Sequence, residues 1–535
     1  MAGTRTPDVR LAELIASLSL ATDLGLGQPQ EHVLRQTVIA TRLAAAAGMA
    51  PEHQAAAFYV SLLAWMGCVA DSHELAHWFG DDLQMRADSY QVDKAGPGMA
   101  RFLLGHLAQG QPALQRITMV GRFLAQGAAD MPKLFVSHCQ TASDIADRLD
   151  LPAEVRAALL DAFERWDGKG VPGRARGTEI EPVMRVVHIA DDAEVHHRTG
   201  GVEAALEMLR SRRETEFDPE LVDLCCDRAD EIFGGLDTVD AWGSVIHGCA
   251  PLDGTIRDAD LTAVLRVFAD YADLKSPWFL GYSRRVAELA AAAARSAGLS
   301  DDDVVLAERA ALVHRIGAIG ISTGIWNKPG PLTIAERERV RTVPYLTERV
   351  LCRQPRLCEI GAVAAASYER MDGSGYPRGL TGTAIPATAR LLAAAAVYQA
   401  LGEDRPHRVA LSQADRAAVM QGEVTAGRRG GRCSADGGWV PHHASAQNGR
   451  RADRPRTRGT RAAGPGLVES ADRPTSFDHA TNRRHSRRTH LHQDRGIDPR
   501  RRRDVRDAPR AGQRRRIDRA FTRCAGRAVG RRTDT

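Results

Sequence analysis

Lysine is nearly missing from this sequence, with 5 among 535 residues against 67 arginines. Aromatic residues are scarce at 5%, and the nine cysteines include no C-x-x-C pair. That cysteine pattern provides neither a disulfide framework nor a zinc knuckle, so reduced, partly buried thiols are expected. Long apolar runs are lacking too: the Ala-rich stretch near Ala290 is interrupted by Arg295, and a membrane span needs roughly 18 apolar residues. The opening MAGTRTPDVRLAEL carries acids and no compact apolar stretch before a small-residue cleavage site. No secretory signal and no membrane association are therefore expected, and the chain is assigned to the cytoplasm.

The net charge of +5 conceals a break. From Arg428 to Thr535 there are 29 arginines, no lysine and 11 acids, a net of +18; the 43 basic and 56 acidic residues before it give −13. In the basic segment the helical periodicity disappears and few large apolar residues remain. Residues 428–535 are expected to be a disordered Arg-rich tail. Arg-rich, Lys-free text is also what a shifted reading frame produces in a GC-rich gene. Degenerate reverse translation of 449–511, read one nucleotide later, permits a sequence that resembles the helix-turn-helix output domain of bacterial response regulators. The expectation is a frameshift near Gly427–Arg428 and no specific DNA binding by the chain as it stands.

Before that break the pattern is helical. Segments such as RRVAELAAAAARSAGL and ERERVRTVPYLTERVL repeat apolar residues at three and four, and no alternating run is sustained, which predicts an all-α fold. Two stretches echo each other. F-E-R-W-D-G-K-G-V-P from Phe163 matches Y-E-R-M-D-G-S-G-Y-P from Tyr368, and HVLRQTVIATRLAAAAGM from His32 parallels YSRRVAELAAAAARSAGL from Tyr282. The repeat implies two homologous helical domains, 15–235 and 260–425, joined by a linker at 236–259.

The second domain holds A-L-V-H-R-I-G-A-I-G-I-S-T-G-I-W-N-K-P-G-P-L-T from Ala311, M-D-G-S-G-Y-P-R-G-L from Met371 and A-L-G-E-D-R-P-H-R from Ala400. In this order and over about 140 residues they resemble the HD-GYP family, all-helical metal-dependent phosphohydrolases, many of which cleave cyclic di-GMP. The resemblance implies a cluster of His and Asp ligands around divalent ions such as manganese, iron or magnesium. At the family's positions this chain has His314 followed by Arg315 in place of the Asp, Val343, Ser367, Tyr368 and Ala396. Only Asp273 and His314 remain, and a guanidinium cannot ligate a cation. No metal or other cofactor is therefore expected in the second domain, unless the enzyme alternative holds. Lys328, Arg370, Asp372, Gly375 and Tyr376 are the candidate ligand-binding residues. In the first domain His32, Asp71, His73, His77, His138 and Asp191 stand at or near places where ligands could gather.

The leading expectation is a catalytically degenerate regulatory protein, a signal sensor or dimerisation core once coupled to a DNA-binding domain. It would form a homo-oligomer and take a cyclic dinucleotide or other small signal. Two alternatives stand beside it. One is a metal-dependent phosphodiesterase acting on cyclic di-GMP or another nucleotide, and the other a non-specific nucleic-acid binder working through the basic tail.

Overall fold

The computed structural model describes residues 8–109, 111–248 and 254–426. Among them helices dominate, and the fold is all-α as the periodicity predicts. The strands are two residues long: β1 (Val9–Arg10) pairs antiparallel with β2 (Thr255–Ile256), which clamps the start of the first half to the start of the second. The basic segment, with its expected disorder and frameshift, lies outside the described residues.

The principal helices of the first half are α1 (Leu11–Leu26), α2 (His32–Ala46), α3 (Pro51–Leu63), α4 (Ser72–Phe79), α5 (Asp82–Ser89), α6 (Ala128–Arg148) and α7 (Pro182–Arg212), the last broken at Gly201. Those of the second are α8 (Asp258–Asp273), α9 (Tyr282–Ser296), α10 (Asp301–Val313), α11 (Val343–Leu351), α12 (Pro355–Ala366) and α13 (Ala387–Leu401). One continuous apolar core runs through both halves. It reaches into the expected linker, where the helix Ala241–His247 buries Ala241, Val245 and Ile246.

The repeat is visible in local devices rather than in overall composition. Asp23 at the end of α1 accepts the backbone N–H groups of Glu31 and Val33, at 2.7 and 2.9 Å, and so fixes the start of α2. Asp273 at the end of α8 does the same for α9, accepting from the N–H and hydroxyl of Ser283 at 2.8 and 2.7 Å. The residue before each following helix is left-handed, Glu31 at φ 76° and Gly281 at φ 70°. Glu164 and Glu369 each fold the glycine-rich loop back on itself. Glu164 accepts from the N–H groups of Gly173 and Arg174, Glu369 from those of Arg378 and Leu380. In the second loop Gly375 passes so close that a Cβ would lie 2.5 Å from the Glu369 Cα, which accounts for the glycine of the D-G-x-G pattern.

Gly317 is a similar close approach, between the turn after His314 and α11. A Cβ there would meet the Val343 carbonyl and lie 2.6 Å from the Thr347 nitrogen. Backbone cannot retreat as a side-chain tip can, so Gly317→Ala is expected to cost about 1–3 kcal/mol, as overpacking usually does. A urea titration of both proteins checks this; an unchanged midpoint would show that the α11 contact gives way freely.

One thiol expectation is corrected. The turn between α11 and α12 brings the Cα atoms of Cys352 and Cys358 to 3.9 Å and their sulfurs are bonded, whereas Cys68, Cys139, Cys225 and Cys226 are free. Chain spacing alone did not reveal that turn. No single helix among the described residues is long and apolar enough to cross a membrane.

Candidate functional site: a guanidinium cleft

At the positions where the resemblance places metal ligands, the second half supplies packing. Val343 lies buried with Ala318, Ile321, Ile325, Val340 and Tyr368 in a small apolar cluster. Ser367 turns its hydroxyl onto the Ala364 carbonyl at 2.7 Å, and the Ala396 carbonyl accepts the Tyr282 hydroxyl at 2.8 Å. Of the two surviving ligand types, Asp273 is committed elsewhere and, among the described residues, His314 stands alone. His314 is buried, its Nδ1 2.6 Å from the Ala311 carbonyl, and burial together with the adjacent Arg315 pushes its pKa down to about 3. Both oxygens of Asp273 go to Ser283, and burial pushes its carboxyl up to about 7.

What occupies the centre is Arg315. Its guanidinium lies 3.8 Å from the Phe279 ring centroid, 5.1 Å from that of Trp326 and 5.4 Å from that of Tyr282. A second guanidinium, Arg405, stacks on Phe279 and Tyr282 at 4.7 and 5.2 Å. Arg405 donates to the Trp278 carbonyl and to Glu403, whereas Arg315 has no carboxylate within ion-pair distance among the described residues. These side chains line a small cleft, whose wall also includes Val343, Tyr368 and His407.

The candidate ligand-binding residues sit elsewhere. Lys328 pairs with Glu336 at 2.6 Å, Asp372 accepts from the N–H and hydroxyl of Ser374, and Gly375 serves the loop packing above. Tyr376 packs against Tyr368 beneath Arg341, and none of the five, Arg370 included, lines the cleft. The sequence reading held Arg405 within a quoted motif but did not single out Phe279 or Trp326. The available signal was Arg315 inside an otherwise apolar segment.

In the first half the expected group divides. His32 meets Glu194 through Nδ1 at 2.5 Å and Asp191 through Nε2 at 3.2 Å. Burial opposes a charge on His32, but these carboxylates hold its pKa up at about 10. His138 lies 3.6 Å from Asp71, whose carboxylate also accepts from Arg86. His73 accepts from the Asn327 amide at 2.7 Å, and His77 stacks on Trp78. Every carboxylate here already faces a cation. Among the described residues no three His, Cys, Asp or Glu side chains gather as a metal site. The residues at neither centre fit the divalent cluster implied by the resemblance, so no chemistry is derived through such ions.

The HD domain family model matches residues 128–221 and 266–428. Those two segments make the chain similar to HD-domain proteins. It is 29% identical over 419 residues, 77% of the chain and 90% of the relative, to the 3'3'-cGAMP-specific phosphodiesterase 3 of Vibrio cholerae. A shorter match, 36% over 156 residues, joins 29% of the chain to 40% of a cyclic di-GMP phosphodiesterase response regulator of Xanthomonas campestris. Among solved structures, a cyclic GMP-AMP specific phosphodiesterase of Vibrio cholerae aligns with a TM-score of 0.53 at 26% identity, covering 78% of this chain and 94% of that one. These relatives overturn the expectation of a catalytically degenerate regulator. They carry the names of phosphodiesterases, one of them through both HD-domain segments, and they favour the enzyme alternative instead.

Proposed function

We propose that this chain is a cyclic-dinucleotide phosphodiesterase with the Arg315–Arg405 cleft as its substrate site. The observation that carries the reading is the alignment with a named cyclic-dinucleotide phosphodiesterase through both halves. The cleft supports it chemically. A cyclic dinucleotide offers two phosphodiesters and two flat bases, and the site offers two guanidiniums among the rings of Phe279, Tyr282 and Trp326. Guanidinium groups meet phosphate oxygens in a fork and stabilise charge that develops on them during displacement. Phe279 and Tyr282 are buried under the guanidiniums, so the half-buried Trp326 is the ring that offers a face to a base, worth about 1–3 kcal/mol by stacking.

The test is turnover of 3'3'-cGAMP and cyclic di-GMP by the full-length chain, with manganese, iron or magnesium added in turn and in their absence. Linear dinucleotide is followed by chromatography. Hydrolysis of at least one substrate is expected, with kcat/KM about 10- to 100-fold lower in Arg315→Ala through loss of a charge-assisted contact. No product under any of these conditions, with a curated relative active alongside, would remove the enzyme reading.

A further inference from the structure

The disagreement between the metal chemistry of the resemblance and the residues present points to a different way of holding the substrate. We propose that Arg315, supported by Arg405, binds a phosphodiester of the cyclic dinucleotide directly, in a site that needs no divalent ion. This rests on the cleft being the dinucleotide site, as proposed above.

Arg315 is the decisive residue. It is 9% exposed, yet its Nε and Nη2 have no hydrogen-bond partner. A buried donor without a partner is costly, and for a charged group more so than for a neutral one. Native structures retain such groups where a partner arrives from outside. The carboxylates that act on the cleft do not supply one. Asp273 is committed to Ser283, and Glu403 serves Arg405 and Arg285. The rings of Phe279, Trp326 and Tyr282 surround the guanidinium and leave its Nε and Nη2 donors unused, the edge by which a fork meets a phosphate. Arg405 places a second cation over the same Phe279 ring. Two like charges packed on one ring without an acid between them repel each other, and an anion placed between them relieves that repulsion. In a metal-dependent site the ion provides the positive charge; here the side chains already provide it.

The experiment is calorimetric titration of 3'3'-cGAMP and cyclic di-GMP into the full-length chain, once in EDTA and once in manganese. Binding of at least one of them is expected in EDTA with an affinity within about 2-fold of that in manganese. Arg315→Gln is expected to weaken it about 10- to 100-fold, as loss of a charge-assisted hydrogen-bond pair does. Arg315→Lys, which keeps the charge without the fork, should fall between the two. Thermal melting of each variant confirms folding, and Arg315→Lys carries the test should Arg315→Gln fail to fold. Binding that requires manganese, or that is unchanged in both variants, would overturn the proposal. Metal-free binding without turnover would leave this site standing and remove the phosphodiesterase reading; turnover with binding only in manganese would do the reverse.

Discussion

Replacing Asp82 with alanine is expected to destabilise the fold by about 3–5 kcal/mol, the usual result of leaving one member of a buried ion pair alone. Asp82 and Lys275 are both fully buried, 193 residues apart in the chain, and their Oδ2 and Nζ atoms are 2.6 Å apart. The same carboxylate accepts the Thr323 N–H at 2.7 Å and the Ser322 hydroxyl at 3.1 Å, and Arg86 approaches at 3.4 Å. It thus ties α5 of the first half to the end of α8 and to the turn that carries Trp326. Burial works to raise the Asp82 pKa, but Lys275 and Arg86 outweigh it and hold the carboxyl below its ordinary 3.8. A depressed carboxyl contributes stability above 3.8 that is lost as pH falls through the folded value, so the pair should hold across the neutral range. The alanine variant strands Lys275, whose own pKa burial already lowers. Denaturant unfolding at pH 7 measures the loss. The double variant Asp82→Leu with Lys275→Met, which removes both charges, should recover much of it. A single-variant loss under about 1 kcal/mol would mean that water reaches Lys275.

That ion pair marks what the chain shows on reading and what it hides. Helix class follows from apolar spacing, and the repeat follows from the Phe163 and Tyr368 loops, because local geometry demands particular residues at particular places: Gly375 against the Glu369 Cα, Asp273 against Ser283. Such constraints act within about ten residues. The cleft does not, since Phe279, Arg315, Trp326 and Arg405 come from four segments of the chain. Sequence reading saw that Arg315 replaces a ligand type, yet it could not see that three rings surround the guanidinium. For the same reason the histidines of the first half looked like one potential cluster, whereas packing pairs each with a different partner. Asn327 joins Ser276 to His73 across the two halves. Long-range pairing of this kind leaves no periodicity to find.

His32 illustrates it, and its replacement should give a pH-dependent loss. The ring is fully buried between Glu194 and Asp191, with Arg35 donating to Glu194 at 2.7 Å and the Tyr90 hydroxyl donating to Asp191 at 3.2 Å. Burial disfavours its charge, but the carboxylates raise its pKa from 6.5 to about 10. A raised histidine contributes stability that is complete below 6.5 and lost as pH rises through about 10. Glu194, whose burial is outweighed by His32, is held down at about 2, so its share is complete above 4.5 and lost as pH falls from there through about 2. Between pH 4.5 and 6.5 both contributions are whole. Asp23, which burial pushes up to about 7 against the pull of His32, is mostly neutral there but ionised by pH 9.5, so the variant is compared with the unsubstituted chain at each pH. His32→Gln keeps hydrogen-bonding capacity but never carries the charge. It is therefore expected to cost about 3–5 kcal/mol at pH 5.5, the scale for stripping one partner from a buried ion pair, with most of that difference gone by pH 9.5. Paired urea titrations at the two values make the measurement. A cost that stayed constant with pH would assign His32 a neutral hydrogen-bonding role and place the positive charge facing Glu194 on Arg35 and Arg198 alone.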